Sequence, residues 1–489
     1  MNILAIESSC DETAAAILSA PSLSKLKTSP AFDPNNPLRS ASYKLLSNVV
    51  VSQIDIFKAY GGVIPEVAAR SHLEAILPVI HQAFSNAGFI EKSPKAAFSM
   101  NKASFNETPS EREDWSKIDA IAVTNTPGLL GSLLVGTLTA RTLAILHDKP
   151  LYPIHHLKSH IYSAILGNEN VFSSDSADSD SKNYSSHKSE CLDSTSAELL
   201  TDCCNFNDRE SRTSEKKYFC FPNIALVISG GHTQLIYMPS ENSFEIIGTT
   251  LDDAVGEAFD KIAKILGLPY PGGPSISKAA LSGNPEKYSF PHPNVPDLNF
   301  SFSGLKTAVL RTIQKELGVP LSYPSHDIKN LLSETQIANF AASFQRTAID
   351  ILIEKLNLAL KKYHDVNTVI IAGGVSANEE LRKRISEKVS CSGVSPNPQT
   401  PAVRTTAITK RVRGNVVDER ETNRCGSDDC AARTRTKPER EAIHILFPEK
   451  SFSGDNAAMV AAACYFEIES SVKPTDPYSL NILPRSAIN

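Results

Sequence analysis

The sequence predicts an α/β protein made of two copies of one lobe, facing each other across a central cleft. Two observations carry this reading. Residues 2–18 read strand, polar turn, strand, and residues 223–237 repeat that order. Well downstream of each, a strand runs into a glycine turn and then a helix. The same two units in the same order suggest a duplicated α/β lobe.

The first unit opens on the apolar run Asn2-Ile3-Leu4-Ala5-Ile6, turns through Glu7-Ser8-Ser9-Cys10-Asp11-Glu12-Thr13, and continues apolar to Leu18. Unbroken apolar runs of this length read as strands buried on both faces. Residues 118–124 form its partner strand, Pro127-Gly128-Leu129-Leu130-Gly131 the tight turn, and an apolar helix follows to about Leu146. In the second half the hairpin turn is Ser229-Gly230-Gly231-His232-Thr233. The later strand Thr368–Ala372 leads through Gly373-Gly374-Val375-Ser376 to a helix over 378–389. The first lobe is expected over 1–150, completed by a C-terminal helix at 455–475, and the second over 151–450.

Four stretches interrupt this frame. Those near 20–42 and 92–114 are rich in Ser, Pro, Asn and Lys and lack periodicity. Between 167 and 217 lie twelve serines, eleven acids and six bases, a composition that buries too little apolar surface to offset its chain entropy. The stretch near 391–441 is rich in Arg and Thr, with ten bases against six acids from Arg404 to Arg440. Both long stretches read as disordered, solvated loops, and a basic loop of this kind can also touch nucleic-acid phosphate.

A chain of 489 residues, 41% hydrophobic, can bury the cores of both lobes. A net charge of −5 argues against unspecific nucleic-acid binding over the whole surface, though not against a local basic groove. The nine cysteines form no CxxC pair, so neither a zinc ribbon nor a disulfide framework is indicated. With no basic leader and no apolar run near membrane-spanning length, a cytoplasmic protein is expected.

Glycine pairs at Gly230-Gly231, Gly272-Gly273 and Gly373-Gly374 follow strands or open helices, where backbone N–H groups can reach a phosphate. No Walker lysine follows them and no GxGxxG opens a helix, which disfavours P-loop and Rossmann readings. His156 and His160 stand at i, i+4, so a helix puts both imidazoles on one face within reach of one divalent ion. Leu157 occupies the glutamate position of a zinc-peptidase HExxH motif. A third ligand must come from elsewhere. Asp455 follows a glycine turn and precedes an apolar helix, where it reads either as ligand or as N-cap. Two histidines and one carboxylate leave positions open for substrate or water.

Asp11 and Glu12 lie in a turn expected to face the cleft. Asp252, Asp253, Glu257 and Asp260 read as the polar face of a helix whose buried side carries Ala254, Val255, Ala258 and Phe259. Facing a cleft, such a carboxylate can accept hydrogen bonds from ribose hydroxyls.

Taken together, Glu7-Ser8-Ser9-Cys10-Asp11-Glu12-Thr13, Gly61-Gly62-Val63-Ile64-Pro65-Glu66, Pro127-Gly128-Leu129, His156 with His160, Ser229-Gly230-Gly231-His232-Thr233-Gln234-Leu235, Gly256-Glu257-Ala258-Phe259-Asp260-Lys261, Phe300-Ser301-Phe302-Ser303-Gly304-Leu305-Lys306-Thr307 and Gly373-Gly374-Val375-Ser376-Ala377-Asn378 resemble the bacterial tRNA threonylcarbamoyl-adenosine transferase family. The likeness runs from residue 2 to about 483, broken only by the four stretches above.

The resemblance implies the actin-like ATPase (ASKHA) fold, two RNase H-like lobes around a nucleotide cleft. It implies one divalent metal, Fe(II) or else zinc, on His156, His160 and Asp455. It also implies threonylcarbamoyl-AMP held by Val227, Ile228, Ser229, Gly230, Gly231, Asp260, Gly273 and Asn378. Asp11 and Glu12 would lie near the reacting centre, where the group passes to adenosine 37 of tRNAs reading ANN codons and AMP leaves. The partners implied are tRNA, a related inactive paralogue, a small ATPase and an adenylate-forming enzyme. Two alternatives stand beside this reading: a metallopeptidase, an older label for such proteins, and a non-catalytic nucleotide-binding scaffold.

Overall fold

The computed structural model describes residues 1–21, 43–92, 111–166, 219, 221–241, 243–390, 443–485 and 488. The four expected interruptions lie almost wholly outside the described residues, as does the Arg-rich loop with its expected contact to tRNA phosphate.

The first sheet gathers β1 (Asn2–Glu7), β2 (Glu12–Ser19), β3 (Lys44–Ser52), β6 (Ala120–Thr126) and β7 (Leu151–His155) in the order β3-β2-β1-β6-β7. A short ladder of β4 (Ile90–Lys92) and β5 (Glu111–Glu113) lies apart from it. The second sheet gathers β8 (Asn223–Ile228), β9 (Thr233–Ser240), β10 (Ser243–Thr249), β11 (Thr368–Ala372) and β12 (His444–Leu446) in the order β10-β9-β8-β11-β12. In each, three antiparallel strands are followed by two parallel ones. The duplicated topology expected from the sequence is therefore present strand for strand. Two expected limits shift. The first sheet takes in Leu151–His155, beyond residue 150, and the β4–β5 pairing gives regular structure at both ends of the 92–114 stretch.

The described helices are α1 (Ile54–Lys58), α2 (Pro65–Asn86), α3 (Leu130–Leu146), α4 (His156–Tyr162), α5 (Val255–Leu266), α6 (Gly272–Ala280), α7 (Ser303–Leu317), α8 (Glu334–Lys362), α9 (Glu379–Ser390) and α10 (Ala457–Glu469). On the outer face of the first sheet, Ile76 and Phe84 of α2 and Val135 of α3 meet Leu4, Ile6 and Ile17. On the outer face of the second, Phe259 of α5 and Phe344 and Leu352 of α8 meet Ile224 and Leu226. The inner faces share one core. Ile3, Ala5 and Ala16 of the first sheet and Val227, Ile236 and Ile370 of the second are joined in it by α4 and α10. Helix α10 is buried from Ala457 to Glu467, and its run of alanines lets it lie close against β1 and β2. The apolar helix expected near 455–475 is this one, ending at Glu469.

One expected helix starts later than its pattern suggested. Helix α5 begins at Val255, so Asp252 and Asp253 stand ahead of it rather than on its polar face. The Val255 N–H donates to Thr233 Oγ1 at 2.9 Å, and Ala254 is extended. Asp252 instead accepts from the Ser301 and Ser303 hydroxyls and the Phe302 N–H, which pins the start of α7. Among the described residues no helix is long and apolar enough to cross a membrane.

Candidate active site and metal centre

The hairpin turn of each lobe opens on the same cavity, about 1950 Å3 in volume. Asp11, Glu12 and Gly128 line it from the first lobe; Ser229, Gly230, Gly231, His232, Asp260, Gly273 and Asn378 line it from the second. His156 and Asp455 form part of its wall. Close packing behind the turns demands glycine at particular points. Gly373 has φ +89, and a Cβ there would stand 2.4 Å from the Ile228 carbonyl.

The expected metal ligands meet. His156 and His160 lie on one face of α4 with ring centroids 4.6 Å apart. Asp455 Oδ1 stands 3.1 Å from His160 Nε2 and 3.6 Å from His156 Nε2. One ligand atom from each of the three fits within 4.8 Å of the others. Asp455 is not the N-cap of α10: Asn456 fills that role, its side chain accepting the Met459 N–H at 3.1 Å. Neither ring nitrogen of buried His160 has a hydrogen-bond partner, so the 3.1 Å approach of Asp455 is an ion-pair distance without hydrogen-bond alignment. Leaving buried polar nitrogens unpaired costs about 1–3 kcal/mol each. A divalent cation shared with His156 and Asp455 would satisfy Nε2, and the donor set of two imidazoles and one carboxylate suits iron or zinc.

The electrostatics agree. Burial works against charge on His156, but Asp455 and Glu7 beside it push it up to about 9. Burial likewise opposes charge on Asp455, yet His156 and then His160 beside it hold it well below the usual carboxylate range. Behind the triad, Glu7 is lowered despite its burial by the hydrogen bond and charge of His156. The pocket is built to hold positive charge between two carboxylates.

Around it stand groups whose charged forms burial disfavours. Burial raises Asp11, with Asp455 adding to the effect, and raises Glu12 well above the usual range, with Asp455 and Asp11 adding. Asp260 is pushed up to about 6 by burial, against the Gly272 N–H that donates to it at 2.6 Å. His232 is pushed down to about 4 by burial and then by positive charge on His156 and His160, so it faces the cavity as a neutral imidazole. Sequence reasoning quoted His232 within its turn but assigned it no role. A histidine in the turn opposite a histidine pair was the available signal.

The expected substrate residues divide. Ser229, Gly230, Gly231, Asp260, Gly273 and Asn378 are on the cavity wall. Val227 and Ile228 are not; their side chains are fully buried, one in each core of the second sheet. A strand covered on both faces sends neither of two successive side chains to the surface. Asn378 has its polar atoms engaged: Nδ2 donates to Ser277 Oγ at 2.9 Å and Gln345 Oε1 at 3.0 Å, and Oδ1 accepts the Leu381 N–H at 3.0 Å.

Fold and site together define an actin-like two-lobed protein with a candidate metal triad in its cleft. A sequence profile of TsaD, tRNA N6-adenosine threonylcarbamoyltransferase, matches residues 44–95, 110–175 and 209–399. Relatives bearing that description include one from Christiangramia forsetii, 38% identical over 79% of this chain and 84% of its own. One from Bacillus subtilis is 36% identical over 99% of this chain and 95% of its own. Among solved structures, HypF in its phosphate- and nucleotide-bound form aligns with a TM-score of 0.39 and 12% identity over 73% of this chain and 39% of that one, too distant to add to the argument. The chain belongs to the tRNA N6-adenosine threonylcarbamoyltransferase family, and it is a transferase that modifies tRNA.

Proposed function

We propose that the chain transfers the threonylcarbamoyl group of threonylcarbamoyl-AMP to the exocyclic amine of adenosine 37 in tRNAs that read ANN codons, releasing AMP. The observation that carries this reading is one cavity walled by His156 and Asp455, with buried His160 completing their triad, within reach of carboxylates of raised pKa and a glycine turn. Held by those three residues, one Fe(II) ion, or zinc, supplies a Lewis acid toward a phosphate or carbonyl oxygen.

The chain's own groups do the rest. Backbone N–H groups of Gly230 and Gly231, and the N-terminus of α6 at Gly273, offer donors to phosphate oxygens, while the Ser229 N–H closes the turn on the His232 carbonyl at 2.8 Å. Asp260 accepts from ribose hydroxyls. Asn378 acts by fixing Ser277 and Gln345 at the cavity wall, and Val227 and Ile228 act through the backbone that aims the turn. The amine attacks the carbamoyl carbon, the bond from that carbon to the phosphate oxygen breaks, and its electron pair leaves with AMP. Asp11, with Glu12 beside it, takes the proton the amine loses. Its raised pKa makes it a better base than an exposed aspartate.

Under the same reading the protein works in the cytoplasm with a related inactive paralogue and a small ATPase, on a donor made by an adenylate-forming enzyme. A peptidase reading lacks its base, since the segment between the two histidines carries buried Leu157 where that chemistry needs glutamate. Transfer from synthetic threonylcarbamoyl-AMP to tRNA, followed in the native protein and in Asp11→Ala and His156→Ala, tests the proposal. Full activity in both variants removes it.

A further inference from the structure

Glu7, at the end of β1, is fully buried, and the transfer described above gives it no task. Its Oε1 accepts the Ser9 N–H at 2.6 Å. Its Oε2 accepts the Thr124 hydroxyl at 2.5 Å and lies 3.4 Å from His156 Nδ1. Donors therefore converge on both oxygens, which suits an ionised carboxylate, and an ionised carboxylate can only accept. The proton between Glu7 and His156 must then sit on Nδ1. Ser9 Oγ, 3.2 Å from the same nitrogen, fits as a second acceptor. The proton a cation would displace from the ring is therefore the one on Nε2, and Nε2 is the nitrogen that faces Asp455. With a cation between His156 and Asp455, the opposite tautomer would turn a lone pair toward the buried Glu7 carboxylate and close Nε2 to that cation.

We infer that Glu7 is a positioning residue of the metal centre, selecting the Nδ1–H tautomer of His156 and so presenting Nε2 to a divalent cation. The inference rests on the reading of His156, His160 and Asp455 as cation ligands. Outer carboxylates of this kind typically change metal affinity by about 10–100-fold when removed.

Glu7→Gln is the informative variant because it keeps the side chain's shape. The backbone N–H of Ser9 holds the amide oxygen at the Oε1 position. The amide nitrogen then faces His156 Nδ1, where a donor favours the wrong tautomer. Zinc affinity of the metal-free full chain, measured by competition with a chromophoric chelator, is expected to fall about 10–100-fold in Glu7→Gln. It should fall less in Thr124→Val, which keeps the carboxylate, and should be lost in His156→Ala. Equal zinc binding by the native protein and His156→Ala defeats the reading of the triad. Loss in His156→Ala with native affinity in folded Glu7→Gln overturns the role of Glu7 alone. Imidazole nitrogen shifts of the zinc-loaded native protein, with the His156 signals assigned by their absence in His156→Ala, decide the matter independently of how Glu7→Gln folds. A protonated Nδ1 with zinc on Nε2 supports the inference, and zinc on Nδ1 overturns it.

Discussion

Asp455 Oδ1 approaches His160 Nε2 to 3.1 Å because its neighbour, and not Asp455 itself, caps helix α10. Asn456 takes the Met459 N–H, and its Nδ2 donates to the Gly454 carbonyl at 2.8 Å. The turn is thereby fixed on both sides of Asp455, leaving its carboxylate free to face the histidine pair.

Asp455→Asn keeps that cap and removes the negative charge of the candidate triad. Affinity for divalent metal should fall by more than about 100-fold, beyond the cost of losing an outer-shell partner. Transfer activity should be lost with it. Elemental analysis of dialysed protein beside a transfer assay checks both.

Asn456→Ala removes the cap and the hydrogen bond to Gly454. The expected cost is about 1–2 kcal/mol of stability, read from urea denaturation. Because the turn loosens, metal affinity should fall too, which a simple loss of stability would not predict.

For Asp11→Ala we expect kcat to fall about 10²–10⁴-fold with little change in KM for tRNA. A base works only when deprotonated, so native activity should be lost as pH falls through the pKa of Asp11. Burial raises that pKa, placing the acid limb above the ordinary aspartate range. Rate measurements across pH should show the limb in the native protein and its absence in Asp11→Asn.

Asp260 sets a pH dependence of stability. Its folded pKa of about 6 lies above the ordinary value of 3.8, so between those values the folded state keeps a proton the unfolded chain has shed. Stability from this group is therefore full at low pH, falls as pH rises through that window, and is level above it. The difference is on the order of 3 kcal/mol. Asp260→Asn should lack this slope and gain relative stability at pH 7, as denaturant titrations at pH 4 and 7 would show.

Gly373→Ala forces a methyl toward the Ile228 carbonyl from a left-handed backbone. A loss of about 2 kcal/mol or more is expected, measured by chemical denaturation. A native-like midpoint would mean that the turn can shift.

Much of this was readable in advance where local chemistry alone decides. Thr368–Ala372 could be bounded to the residue because an apolar run meets two glycines. His156 and His160 could be paired because i, i+4 spacing on a helix has only one meaning for direction. Readings failed where a distant partner decides. Asp252 and Asp253 continue a helical spacing, but Thr233, a strand away, captures the Val255 N–H and delays the helix. Glu7 sat at the head of a polar turn, where its sequence context assigned it no role of its own. Only the approach of Thr124 and His156 from later strands and helices turns it into a buried acceptor.

Helix α10 lies between the two sheets although it follows both in the chain. While a ribosome is still making the polypeptide, the inner faces of β1 and β2 must therefore wait, uncovered, for a segment translated several hundred residues later. Asp455 arrives with that same segment. A nascent chain interrupted before it would lack the carboxylate of the candidate triad and its closing helix together, so an unfinished molecule would be open to proteolysis while its site is still incomplete.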